Sequence, residues 1–125
     1  MRALIATFAA ALVGMSTAAV AAEATFTGTL VDTKCYSMAP DKNAGNDHAM
    51  KDGSIAANCA SACAQMGIPA ALVVDGKMMT LIAPAPAFAD HMSKEATITG
   101  TEINGVILPS KAVVDGEEID IQGMM

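Results

Sequence analysis

The chain has 125 residues, with 13 acidic against 7 basic side chains and a formal net charge of −6. Aromatic residues make up 3% of it, and tryptophan is absent. A phosphate backbone needs a basic face and single strands need aromatic stacking platforms, so nucleic acid is excluded as a partner. The same acidity disfavours an anionic membrane surface.

Residues 1–22 predict a cleavable secretory signal. Arg2 gives a positive start, Ala3–Val13 an apolar stretch, Gly14–Thr17 a polar turn and Ala18–Ala22 a run of small residues suited to a signal peptidase. The stretch is mostly alanine and has no basic stop after it, which argues against an uncleaved anchor. The expected product is residues 23–125, a single exported domain of roughly 100 residues in the bacterial periplasm or medium, with no membrane association after cleavage.

The pattern from Thr25 to Thr33 predicts a first strand. Ser37–Gly53, rich in Pro, Asp, Asn and Gly, predicts a long loop. Ser54 as N-cap, Ala-rich Ile55–Met66, Gly67 and then Pro69 predict a helix. Ala70–Val74 and Lys77–Ile82, joined by Asp75-Gly76, predict a tight hairpin. A short helix or turn over 84–93 follows. Strands are then expected at Ala96–Ile103, Val106–Leu108, Lys111–Val114 and Glu117–Gln122, with Asn104-Gly105 and Asp115-Gly116 as turns.

The segment Ala24–Thr29 (ATFTGT) is echoed by Ala96–Thr101 (ATITGT). Two strands of one type, each with a glycine for sharp curvature, explain the echo more simply than a duplication. The fold expected is mainly β with one or two short helices, a small OB-like β-barrel with the cysteine-bearing helix inserted after the first strand.

The chemistry lies between residues 35 and 67. All three cysteines, Cys35, Cys59 and Cys63, fall there with His48, Met50 and Met66. In an oxidising compartment cysteines tend to pair, and three leave one over. The first reading is therefore a disulfide from Cys35 to Cys59 or Cys63. It closes a loop of roughly 25 residues and is worth roughly 3 to 4 kcal/mol in the chain-entropy account. The leftover thiol then serves as a buried hydrophobe, a link in a thiol-bridged dimer or a contact to an exported protein partner; otherwise the domain is a monomer.

The second reading takes Cys35, Cys59, Cys63, His48, Met50 and Met66 as ligands to a soft metal. Thiolate, imidazole and thioether together select Cu(I), and Cys with His alone suits zinc, so copper is the cofactor expected ahead of zinc. His91 on the short helix reads as a solvated or capping residue. Asp32 reads as a strand-end carboxylate or as a polarising neighbour of Cys35. The chain has no C-x-x-C-H, C-x-x-C, H-E-x-x-H, G-x-S-x-G or phosphate-cradling loop, so no catalytic residues are assigned and a non-enzymatic role is expected.

Gly28 to Cys35 in the form G-x-x-x-D-x-x-C, then His48, the C-x3-C pair Cys59 and Cys63, the hairpin around Asp75-Gly76 and the late Thr97–Thr101 strand follow one another in this order. In that order they resemble a group of small exported bacterial proteins. The resemblance implies an OB-like domain and export. The function expected is thus an exported, disulfide-stapled binding or interaction module, with soft-metal binding or delivery second and a thiol-disulfide exchange partner third.

Overall fold

A computed structural model describes residues 22–123. Residues 1–21 of the expected signal lie outside the described residues. No helix among the described residues is long and apolar enough to cross a membrane.

Eight strands and three short helical segments follow in chain order among the described residues. They are β1 (Glu23–Asp32), α1 (Thr33–Met38), β2 (His48–Ala49), β3 (Ile55–Ala56), α2 (Cys59–Gln65), β4 (Ala70–Val74), β5 (Lys77–Leu81), a 3-10 helix (Ala85–His91), β6 (Glu95–Ile103), β7 (Val106–Val114) and β8 (Glu117–Ile119). The main sheet runs β5-β4-β1-β6-β7-β8 with antiparallel neighbours, and a parallel pairing of Thr80 and Leu81 in β5 with Val106 and Ile107 in β7 closes it into a ring. The fold is mainly β, as the alternation and turn signals predict.

The three dipeptide turns form as expected. Asp75, Asn104 and Asp115 stand at φ 49°, 51° and 51°, and the glycines after them at 77°, 81° and 77°. Two consecutive positive φ values are what the tight hairpin turn requires, because its twist then matches that of the strands it joins.

Ring closure explains the echoed T-x-T-G-T segments. β1 pairs with β6 over residues 23–29 and then with β4 over 29–32. Gly28 stands at the changeover, where a Cβ would overlap the Val73 carbonyl. Gly100 stands at the break in register between β6 and β7, where a Cβ would overlap the backbone of Leu108 and Pro109. Each glycine lets a second strand cross close above the bend. The two segments are alike because the ring turns two similar corners.

That break also corrects an expectation. Val106–Leu108 and Lys111–Val114 were expected as separate strands, but β7 runs through both. Ser110 is the extra residue of the bulge, so Pro109, which has no N–H, sits where the ladder is already interrupted.

A second correction concerns the helix expected over Ile55–Met66. Ile55 and Ala56 instead form β3, paired with Ala49 and His48 of β2, and the helix begins only at Cys59. Asn58 in the left-handed conformation, φ 53°, separates the two. Ser54 caps no helix and bonds the Asp52 carboxylate instead. The far end is as expected, with Gly67 at φ 88° beyond the last turn.

Inside the ring, Leu30, Leu72, Leu81, Phe88, Ile98 and Ile107 are fully buried. α2 packs on the 3-10 helix through Ala60, Cys63 and Ala64, whose small side chains allow close approach. Ala60 and Ala64 thereby join the same buried cluster as Leu30, Leu72, Ile98 and Ile107, which anchors the cysteine-bearing segment to the ring.

Candidate metal-binding cleft

The connection from β1 to β4, residues 33–69, folds into a cap of two short helices and a two-stranded ribbon. Its loop from 39 to 47 is held by its own polar side chains. Asn46 Oδ1 accepts from the backbone N–H and the hydroxyl of Ser61, at 2.9 and 3.1 Å. The Ala60 N–H donates to Asn46 O at 3.0 Å, and Asp47 Oδ1 accepts from the Asn58 N–H at 2.8 Å. Asn58 makes no side-chain cap, so the loop supplies the partners that the start of α2 lacks locally.

Asp32 is fully buried and caps α1. Its Oδ1 accepts from the Cys35 N–H at 2.8 Å. The D-x-x-C spacing is therefore an N-cap motif that places the Cys35 thiol one turn above a buried carboxylate. Asp32 does end β1, as expected of a strand-end carboxylate, and because β1 passes directly into α1 there it also serves as the helix N-cap.

Cys35, Cys59 and Cys63 converge from the two helices, their sulfurs all within 4.8 Å of one another. They are thiols here, so the bridge expected from Cys35 to Cys59 or Cys63 is not formed in this structure, although either partner is within reach. A zinc–sulfur bond of about 2.3 Å in tetrahedral geometry holds its sulfurs about 3.8 Å apart, so small side-chain rotations would bring all three onto one ion.

Asp32, Cys35 and His48 form a second cluster within the same limit. His48 Nε2 lies 3.0 Å from Gly45 O and 3.4 Å from Asp32 Oδ2. A carbonyl oxygen can only accept, so Nε2 carries a proton, and in the neutral ring Nδ1 then presents a lone pair. That nitrogen is buried without a hydrogen-bond partner among the described residues. Imidazoles that bind metals are held this way, one nitrogen donating to a carbonyl or carboxylate and the other free for the ion.

The polar side chains buried among the described residues are Asp32, Asn43 and His48, and all three stand at this place. Asn43 Nδ2 donates to Cys35 O at 2.9 Å, but its Oδ1, like Asp32 Oδ2 and His48 Nδ1, has no hydrogen-bond partner among the described residues. An unsatisfied buried polar atom costs about 1–3 kcal/mol. These three atoms stand beside three thiols, and all can offer electron pairs to a cation.

A cleft of about 570 Å³ opens over this set, lined among others by Cys35, His48, Cys59 and Cys63, with Met38, Met50 and Met66. Every residue expected as a metal ligand thus lines one cleft. Sequence reasoning missed Met38 and Asn43. Met38 is legible in retrospect, three residues after Cys35 on the same turn, whereas nothing local marks Asn43. His91 closes the 3-10 helix and is not among the residues lining the cleft.

Burial raises the Cys35 thiol to about 12 from its ordinary 9.0, with the Asp32 carboxylate and the neighbouring thiols adding to the rise. Burial and then Asp32 push Cys63 up as well. Neutral thiols are poor nucleophiles, so burial disfavours thiol chemistry at Cys35 and Cys63. The stability consequence has a definite sign. A folded-state value above the unfolded one contributes stability that is full below about 9 and lost as pH rises towards about 12. The urea midpoint of the metal-free protein is expected to fall between pH 9 and 12, and to fall less in Cys35→Ala. Equal slopes in the two proteins would remove Cys35 from the account.

The chain matches no protein family, no curated protein and no solved structure to which it was compared.

Proposed function

We propose that the protein is a soft-metal binding module, non-enzymatic and exported, that holds a thiophilic ion, copper ahead of zinc, on Cys35, Cys59 and Cys63 with His48 beside them. The observation that carries this reading is the convergence of three thiols, their sulfurs within 4.8 Å of one another, with Cys35 also within that distance of the buried His48 ring. Soft thiolate ligands favour Cu(I) and zinc over hard cations. When bound, the ion supplies a positive charge that offsets the buried carboxylate of Asp32 and makes the thiolate form stable. The Gly45 carbonyl fixes the imidazole tautomer, and α1 and α2 fix the thiol positions.

The strand order supports an OB-like barrel as the scaffold. Numbering only the ring strands in chain order as one to five (β1, β4, β5, β6, β7), the ring reads three, two, one, four, five, with three and five parallel. The cleft then belongs to the loop between the first two ring strands, a usual binding position on that fold.

Export favours a second reading, in which Cys35 and a helix cysteine are oxidised and the domain is a stapled interaction module. One experiment separates the two. Protein isolated from the periplasm without chelator is expected to carry one equivalent of copper or zinc and to show three reduced thiols once the metal is removed. One free thiol and no metal would establish the staple and overturn the metal reading.

A further inference from the structure

Three methionines are unusually exposed for so apolar a side chain, and all three line the cysteine cleft. Met38 is 65% exposed, Met50 48% and Met66 73%. The other methionines among the described residues behave differently. Met79 and Met92 are buried in the core, and Met78 is half-buried beside Ser37.

Their positions follow a rule. Met38 comes three residues after Cys35 at the end of α1, and Met66 three residues after Cys63 at the end of α2. Three residues along a helix is the same face, one turn further out. Met50 comes two residues after His48, the same side of an extended chain. Cys35, Cys63 and His48, though not Cys59, therefore each have a thioether two or three residues further along the chain. The backbone is fixed at all three places. The Met50 N–H donates to Ser54 O at 2.8 Å, the Met66 N–H to Ala62 O at 3.1 Å, and Ala39, following Met38, donates to Cys35 O at 3.2 Å.

We propose that Met38, Met50 and Met66 form a second site, a thioether rim at the mouth of the cleft, which captures Cu(I) and hands it to the thiols beneath. The proposal rests on the metal reading above and adds the identity and entry path of the ion. Thioether sulfur is soft and uncharged, a ligand for Cu(I), whereas zinc takes thiolate, imidazole and carboxylate. The transfer is ligand exchange without redox change. Bonds from Cu(I) to thioether sulfur break as bonds to cysteine sulfur form, the thiol protons leave to solvent, and the metal stays Cu(I) throughout. Unbranched, polarisable methionine side chains can follow the ion inward.

The test uses Ag(I), which does not change oxidation state, and protein labelled with 13C at the methionine methyls. In wild type the first equivalent of Ag(I) is expected on the thiols, and a second to shift the methyls of Met38, Met50 and Met66 while those of Met79 and Met92 stay still. In the variant Cys35→Ser, Cys59→Ser, Cys63→Ala, the last to alanine because it is buried, the first equivalent should already shift the three rim methyls. The variant Met38→Leu, Met50→Leu, Met66→Leu keeps side-chain volume. Its rate of Cu(I) uptake from a bicinchoninate complex should fall by about tenfold or more, as when a supporting group of a metal site is lost, with zinc uptake and the final copper content unchanged.

Unchanged Cu(I) uptake in the leucine variant, or rim methyls that do not respond, would overturn the proposal. Uptake unchanged in that variant would also assign the rim to hydrophobic docking, which leucine serves equally. The two readings fail separately. Rim methyls that shift in a protein whose thiols take up no metal would sink the thiol centre and the hand-over to it while leaving the rim as a binding site, and a thiol centre that fills at the same rate without the rim would sink the relay alone.

Discussion

Replacing Cys59 by serine and Cys63 by alanine is expected to abolish tight binding of Cu(I) and zinc. Both residues stand on α2, four apart and one turn from each other, so the pair removes two of three thiols at a stroke. Losing an outer partner of a metal ligand already costs about 10- to 100-fold in affinity, so loss of two direct ligands should exceed about 100-fold. Cys63 is 4% exposed, and alanine at that position avoids leaving a hydroxyl without a partner against the 3-10 helix. Competition against a chromophoric chelator measures the loss, and the urea midpoint of the metal-free variant checks that it folds. Full metal occupancy in the folded variant would show that the ligands lie elsewhere. The same substitution in Cys35 alone should weaken binding of the metal and also detach the thiol cluster from Asp32 and His48, since Cys35 belongs to both groups.

The second large effect belongs to the scaffold. Gly28→Ala is expected to cost about 3 kcal/mol or more, because the added methyl meets the Val73 carbonyl, which is backbone and cannot rotate away. Against a total stability of about 5–15 kcal/mol this threatens folding itself. Gly100→Ala should behave alike, since its methyl would meet the backbone of Leu108 and Pro109. Gly67→Ala is the control. Nothing lies within 4 Å of its added methyl, and only the left-handed φ of 88° resists it, so about 1 kcal/mol is expected. Urea unfolding of the three variants orders them. A Gly28→Ala protein as stable as Gly67→Ala would mean that the strands do not cross closely at that corner.

The missed elements share a physical cause. α1 was missed because six residues are too few for a periodic pattern, and what makes it helical is one capping bond from a carboxylate that the tertiary fold buries. The start of α2 was misplaced because Ile55–Asn58 has good helical composition, yet pairing with β2 stabilises it more as a strand. The gap expected between Leu108 and Lys111 is absent because the bulge opposite Gly100 lets one strand run through Pro109 and Ser110.

The sequence by itself determined the strands of the hairpins, through alternation and the dipeptides Asp75-Gly76, Asn104-Gly105 and Asp115-Gly116. It also determined that soft ligands crowd between residues 35 and 67. These are local properties, decided by φ preferences and by residue type. Only the tertiary structure decided that β5 meets β7 to close the ring, that Gly28 and Gly100 mark its two corners, and that Cys35 stands over Asp32 and His48 and beside Cys59 and Cys63. Such contacts join residues far apart in the chain, and their geometry comes from packing Ala60, Cys63 and Ala64 against the 3-10 helix and from the loop bonds of Asn46 and Asp47. The chain supplied the donors, and the fold set three of them within reach of a single ion.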